Sequence, residues 1–288
     1  MFFSSSTGQC RIAMKSSPES VLQAVAEFLI PAQRILVVTG AGMSADAGLP
    51  TYRGVGGLYE DNTTTEGLTI EEALHIDTFR NRPDISWKYL RQIAEACLGA
   101  TPSPGHRILS LWQKWKPQLV VWTQNIDRLH HAAGSRLVIE LHGRGDRCLC
   151  VDCGQPKPTS ELLQNYPAGT TFLPLCQQCG GILRPDVVLF GEMLQAEAVQ
   201  AIQFLRGGQR FDLVMLIGTS AQFPYIQEPL ILAHDWHIPS VEINPDDTLL
   251  SRFAHMHIPL RASEALTSLH QLLLARPDVQ KSFATLES

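Results

Sequence analysis

Apolar, β-branched runs recur along the chain, and each stops abruptly at small or polar residues. Arg34-Ile35-Leu36-Val37-Val38 ends at Thr39-Gly40-Ala41-Gly42, and Leu119-Val120-Val121-Trp122 ends at Thr123-Gln124-Asn125-Ile126-Asp127. Leu137-Val138-Ile139-Glu140-Leu141 ends at His142-Gly143, and Val187-Val188-Leu189-Phe190 at Gly191-Glu192. Leu213 to Ile217 gives way to Gly218-Thr219-Ser220, and Val241-Glu242-Ile243 to Asn244-Pro245-Asp246. Runs without alternation are covered on both faces, which is the habit of parallel strands.

Between these runs lie stretches of helical spacing. Ser17-Pro18-Glu19 opens one with a capping hydroxyl, and Val21, Leu22, Val25, Phe28 and Leu29 follow on one face. Further helices are expected over residues 70–80, 83–98 and 104–116, with a polar connector over 54–69. Strands alternating with helices predict an α/β fold with a doubly wound parallel sheet. In such sheets ligands sit beyond the carboxyl ends of the strands, and the polar residues of this chain gather there.

The turn after the first run has the spacing G-x-G-x-x-A at Gly40, Gly42 and Ala45. Small residues there permit a tight turn and close approach of a pyrophosphate to free backbone N–H groups. The same spacing also suits an ordinary tight turn.

Cys150-Val151-Asp152-Cys153 and Cys176-Gln177-Gln178-Cys179 form two C-x-x-C pairs. Four thiolates can converge tetrahedrally on Zn²⁺, and a site closed by four protein ligands supplies folding energy and no catalysis. Cys148 competes for a place, but the i, i+3 pairs have the better geometry.

Composition narrows the classes. With 288 residues and 44% hydrophobic content the chain can bury a full core and a smaller lobe. No apolar run reaches the length needed to span a bilayer. A formal charge of −5 argues against an electrostatic grip on nucleic acid. The first 18 residues are Ser-rich and lack acids, a composition shared with transit peptides, yet a disordered tail or an upstream start codon is the expectation. Seven cysteines with paired spacing and no secretory h-region point to a reducing compartment, hence a cytoplasmic location.

Taken together, Gly40-Ala41-Gly42-Met43-Ser44, Pro50-Thr51-Tyr52-Arg53-Gly54, Thr123 to Asp127, His142-Gly143, the two C-x-x-C pairs, Gly180 to Glu192, Gly218-Thr219-Ser220 and Ile243-Asn244 closely resemble the sirtuin (Sir2) family of NAD-dependent protein deacylases. The resemblance implies a Rossmann-like NAD-binding domain over residues 19–60, 101–145 and 185–275. It also implies a smaller lobe with a helical part over 61–100 and a zinc ribbon over 146–184, leaving tails at 1–18 and 276–288. It implies further that an acyl-lysine carbonyl oxygen displaces nicotinamide from NAD, yielding lysine, nicotinamide and O-acyl-ADP-ribose.

By the same resemblance His142 is the general base, with Asn125 and Asp127 holding the nicotinamide ribose and carboxamide. Gly40, Ala41, Gly42, Ser44, Tyr52, Arg53, Gln124, Ile126, Gly218, Thr219, Ser220, Asn244, Pro245, Asp246 and Ala262 are the remaining cofactor positions. Val187, Phe190, Gly191 and Glu192 match the edge on which an acyl-lysine protein or peptide adds as a strand. Two departures stand out. Ala221-Gln222-Phe223-Pro224-Tyr225 replaces the family's Val and Pro-Ala, and Leu90 and Ile93 occupy the places where succinyl-preferring members carry Tyr and Arg. An acetyl or longer apolar acyl group is therefore expected, unless the alignment shifts onto Tyr89 and Arg91. The alternatives are mono-ADP-ribosyl transfer, NAD hydrolysis, or a non-catalytic NAD-sensing zinc-ribbon module.

Overall fold

The computed structural model describes residues 17–50, 64–166 and 172–287. Its strands are β1 (Arg34–Thr39), β2 (Gln118–Thr123), β3 (Val138–Glu140), β4 (Gly143–Cys150), β5 (Pro156–Pro158), β6 (Leu183–Val187), β7 (Leu213–Ile217), β8 (Ser240–Ile243) and β9 (Met256–Ile258). Six of them form a sheet of order β3-β2-β1-β7-β8-β9 in which every pairing is parallel. The order reverses between β1 and β7, the crossover at which a doubly wound sheet opens a crevice.

The most apolar runs occupy the middle of the sheet, because only they can be covered on both faces. Ile35, Leu36, Val37 and Val38 of β1 are fully buried. On one face Leu29, Leu109, Trp112, Leu266 and Leu269 close the core. Ala198, Ile202, Ile226 and Leu230 close the other. The Pro18–Leu29 helix begins as expected, with Ser17 Oγ accepting from Ser20 N at 3.3 Å. Ser103 and His106 box the start of the Pro104–Trp115 helix.

The smaller lobe is a three-stranded antiparallel sheet, β5-β4-β6, packed against helices Ile70–Ala73, Ile76–Asn81 and Pro83–Cys97. Trp87 is wholly buried there, and its Nε1 donates to the Leu183 carbonyl at 2.8 Å. The helix expected over 70–80 is broken at His75, because Ile76 N donates to Phe190 O and Phe190 N to Leu74 O. The Val187 run joins this small sheet through β6 and contributes no strand to the large one. Its place in the large sheet's count is taken by β9, whose polar His257 disguises it. Residues 276–288, expected as a tail, instead carry the Pro277–Glu287 helix, which buries Val279 and Phe283 in the main core. The ring of Phe283 packs on Trp115 and His270. Among the described residues no helix is long and apolar enough to cross a membrane.

Candidate active site

Three strand tips meet where the sheet order reverses. The β1 tip turns through Gly40 into the short Ala41–Ala45 helix, and Gly40 N donates to Ile217 O at 3.1 Å while Gly42 N donates to Gly218 O at 2.8 Å. A Cβ on Gly40 would stand 2.7 Å from both Gly218 O and Thr219 Cβ. Gly218 itself has φ +60, a left-handed conformation that favours glycine. The glycine spacing is therefore demanded first by backbone packing between β1 and β7, and the turn this creates has the small-residue lining that a dinucleotide's phosphates require.

From the β2 tip, Asn125 Nδ2 donates to Gly40 O at 2.9 Å and to Ser44 Oγ at 3.0 Å. Ser44 Oγ in turn donates to Asp127 Oδ2 at 2.6 Å, and Asp127 Oδ1 accepts from Leu129 N at 2.9 Å. Burial pushes the Asp127 carboxyl above its usual range, against the pull of those donors. A second set joins Gln124 Nε2 to Thr219 Oγ1 at 2.8 Å and Asn244 Nδ2 to Thr219 O at 3.1 Å. Two linked amide and hydroxyl clusters thus line the crevice with donors and acceptors in fixed positions, which suits ribose hydroxyls and phosphate oxygens.

His142 follows β3. Its Nδ1 lies 3.0 Å from the Gln124 carbonyl, which can only accept, so the ring proton sits on Nδ1 and the lone pair on Nε2. Burial pushes the imidazole down to about 4, lower than the near-neutral titration expected of it. It is consequently unprotonated at neutral pH, the state a general base needs. Nε2 faces the Tyr225 hydroxyl at 2.8 Å, and the Phe223 ring meets the imidazole edge-on at 5.6 Å.

Ala41 opens the short helix, Ser220 is exposed beside Thr219, and Pro245 and Asp246 are exposed beyond β8. Ala262 is buried in the first turn of its helix, next to Ser263, whose N donates to Asp46 Oδ2 at 2.8 Å. Tyr52 and Arg53 lie outside the described residues. Glu192 is committed to Arg184 through two hydrogen bonds of 2.7 and 2.8 Å and also accepts from Leu189 N, so its carboxylate organises the edge from within. Gly191 has φ +81, and a Cβ there would collide with His75.

An apolar cavity opens between the Pro83–Cys97 helix and the small sheet, lined by Leu90, Ile93, Cys97, Ile126, Pro185 and Val187 among others. Leu90, Ile93 and Cys97 share one helical face. Tyr89 instead bonds Glu66, and Arg91 bonds Glu95 and the Tyr166 carbonyl; neither is among the residues that line the cavity.

The four cysteines of the two pairs lie together, with all Sγ atoms within 4.8 Å of one another, Cys150 and Cys179 at 3.4 Å and Cys153 and Cys176 at 3.7 Å. Thiolates about 2.3 Å from a tetrahedral Zn²⁺ are separated by about 3.8 Å, so the donor set fits one zinc. Cys148 is apart from them, buried, with its Sγ 3.5 Å from Thr159 Oγ1. Tyr225 and the paired histidines His106 and His130 behind Thr39 were not singled out by sequence reasoning. The only signal for Tyr225 was that it falls in the stretch departing from the family pattern.

A model of the Sir2 family matches residues 40–224. An NAD-dependent protein deacylase 2 from Pseudomonas aeruginosa is 44% identical over 250 residues, which span 86% of this chain and 95% of that protein. A protein of the same name from Pyrobaculum aerophilum is 38% identical over 246 residues, 85% and 93% of the two chains. Among solved structures, a Sir2 with a deacetylated p53 peptide and 3'-O-acetyl ADP ribose has TM-score 0.77 at 26% identity, covering 87% of this chain and 98% of that one. A Sir2 homologue in complex with NAD has TM-score 0.74 at 30% identity, covering 91% and 94%. The family model covers more than half of the chain and the relatives match over most of their length, so the chain belongs to the Sir2 family.

Proposed function

We propose that this chain is an NAD-dependent protein-lysine deacylase that releases nicotinamide and O-acyl-ADP-ribose. The observation that carries the reading is the convergence of a neutral, Nδ1-protonated His142 with the Gly40 turn and the Asn125–Asp127 loop on one sheet margin. NAD supplies the activated ribose carbon and the hydroxyls that take up the acyl group.

The chain's own residues have separable tasks in this reading. Gly40, Ala41, Gly42, Ser44 and Gly218-Thr219-Ser220 seat the phosphates, and the family resemblance assigns Arg53 to the phosphates and Tyr52 to shielding the reacting carbon from water. Gln124, Asn125, Ile126 and Asp127 hold the nicotinamide half, and Asn244, Pro245, Asp246 and Ala262 the adenosine half. His142 Nε2 takes the proton of a ribose hydroxyl, because its lone pair is the one basic site that the Gln124 carbonyl leaves open. Cys150, Cys153, Cys176 and Cys179 hold a structural zinc.

The peptide adds along Val187, Phe190, Gly191 and Glu192. Since both backbone groups of Phe190 are already paired with Leu74 and Ile76, exposed Gly191 is the position at which an added strand pairs. The apolar cavity takes the acyl chain: with Leu90 and Ile93 on its wall it offers no cation to a succinyl carboxylate. Acetyl and longer apolar chains are accordingly the substrates. A cytoplasmic site of action fits the six described cysteines, none of which is in a disulfide.

Mass spectrometry of products from acetyl-, succinyl- and myristoyl-lysine peptides incubated with NAD tests this. O-acetyl-ADP-ribose, lost at least about 100-fold in His142→Ala, is the expected result. ADP-ribosylated protein without deacylated peptide would instead establish ADP-ribosyl transfer, and a preference for succinyl-lysine would refute the cavity assignment.

A further inference from the structure

The stretch Ala221 to Tyr225 departs from the family pattern, and it places one hydroxyl where the reaction needs another. A ring nitrogen has a single lone pair, so His142 Nε2 can serve one donor at a time. In the free chain that donor is Tyr225, 2.8 Å away, which is also the distance a substrate hydroxyl must reach to give up its proton.

The phenol is held in this place from several sides. Tyr225 stands in the first turn of the Pro224–Asp235 helix and stacks on Phe223 at 5.5 Å and 12°, while Phe223 meets His142 edge-on. The segment leading to it is strained. Ala221 has φ +49, a left-handed conformation costly for any residue but glycine, kept by Thr219 Oγ1 accepting from its N and Gln227 Nε2 donating to its O. Gln222 and Pro224 are exposed, so the segment has open solvent to move into.

We infer that Tyr225 is a substrate-displaced latch on the base: its hydroxyl occupies the His142 lone pair in the free enzyme and yields it to the reacting hydroxyl. The inference rests on the reading of His142 as general base. Opening exchanges one hydrogen bond for another and breaks no covalent bond. The substrate proton then passes directly to Nε2, making the imidazolium, and Tyr225 keeps its own proton. Burial pushes the phenol up to about 12, which disfavours the rival route in which the proton travels through the tyrosine. Tyr225 is thus a positioning residue that acts through His142.

Tyr225→Phe keeps the ring stack and deletes the donor. Its kcat/KM is expected to rise about three- to tenfold, the worth of one neutral hydrogen bond no longer opposed. Independently of turnover, the His142 imidazole, followed by NMR in the ligand-free protein, must titrate at higher pH than in wild type, since a donor to the neutral ring has gone. Among the described residues the polar groups on the ring are the Gln124 carbonyl and the Tyr225 hydroxyl, and Phe223 is its apolar neighbour, so the shift reports the hydroxyl. An unmoved titration or an unchanged kcat/KM overturns the latch, and a fall of tenfold or more would establish the relay instead. If the variant does not fold, the wild-type Nε2 resonance decides: saturating ADP-ribose must shift it, and indifference overturns the latch. A wild-type enzyme without deacylase turnover would sink the functional reading alone, leaving the titration to judge the latch.

Discussion

Gly42 and Gly218 are packed backbone against backbone, so closely that a Cβ on Gly42 would stand 2.7 Å from Gly218 Cα. The contact ties β1 to β7 at the crossover where the sheet reverses. No side chain lies between them to yield.

Gly42→Ala must therefore separate the two strand tips. Overpacking of this kind costs about 1–3 kcal/mol, measurable by urea denaturation. Because the displaced backbone is the proposed phosphate seat, calorimetric NAD affinity is expected to fall more than tenfold. Full affinity in a folded Gly42→Ala protein would show that the seat lies elsewhere.

The large sheet was legible wherever burial on two faces demanded an unbroken apolar run, as in β1, β2, β7 and β8. The same logic misplaced Val187 to Phe190, since an apolar run carries no mark of which sheet it joins. The truer signal lay upstream, where Leu183, Pro185 and Val187 are buried and Arg184 and Asp186 are not, the alternation of a half-covered antiparallel strand. β9 is too short and its His257 too polar to announce a strand, and it forms because β8 offers it a free edge. The cysteine ribbon and the glycine turn were readable because their chemistry is local. His142 and Tyr225 meet across 83 residues, and only the fold could bring them together.

Ser44 carries a buried burden, for its hydroxyl is one of the donors that make the Asp127 carboxylate tolerable in a site whose burial raises its pKa. Ser44→Ala is expected to destabilise the fold by about 1–3 kcal/mol, the cost of leaving a buried acceptor unsatisfied. Adding Asp127→Asn removes the charge and should recover part of that loss. A double-mutant cycle by denaturant titration with strictly additive terms would disprove the coupling.

Zinc has a structural reach beyond its four thiols. Cys150 ends β4, β6 pairs with β4, and the Trp87 indole hangs from Leu183 of β6, so the ribbon and the helix bearing Leu90 and Ile93 share one core. Native mass spectrometry is expected to find one zinc per chain, absent in Cys176→Ser. That variant should lose the small lobe's ordered packing, seen as a red-shifted emission from Trp87, and with it deacylase activity, although no thiol touches His142. A metal-free protein with wild-type emission and turnover would refute the assignment.

Three buried histidines set the acid limit of the fold. Burial pushes His106 and His142 down to about 4 and His130 well below 6.5. The rings of His106 and His130 lie 4.7 Å apart, tilted 60° to each other, and His106 Nε2 and His130 Nδ1 are buried with no partner, so neither ring can take a proton without leaving a charge unanswered. Their folded pKa values are depressed, hence below about 6.5 the unfolded chain binds protons that the native chain refuses. Stability is then complete above that pH and lost as pH falls from 6.5 toward 4. Between pH 7 and 5.5 each histidine withdraws about 1 kcal/mol, so denaturant titration should record a loss of about 3 kcal/mol. His130 should contribute even when His142→Gln removes one of the three, because its partner across the strand tip is Thr39, at 3.0 Å from Nε2. Equal stability at the two pH values would mean that these rings take up protons in the native state as readily as in the unfolded chain, and the depressed titration assigned to His142 would fall with them.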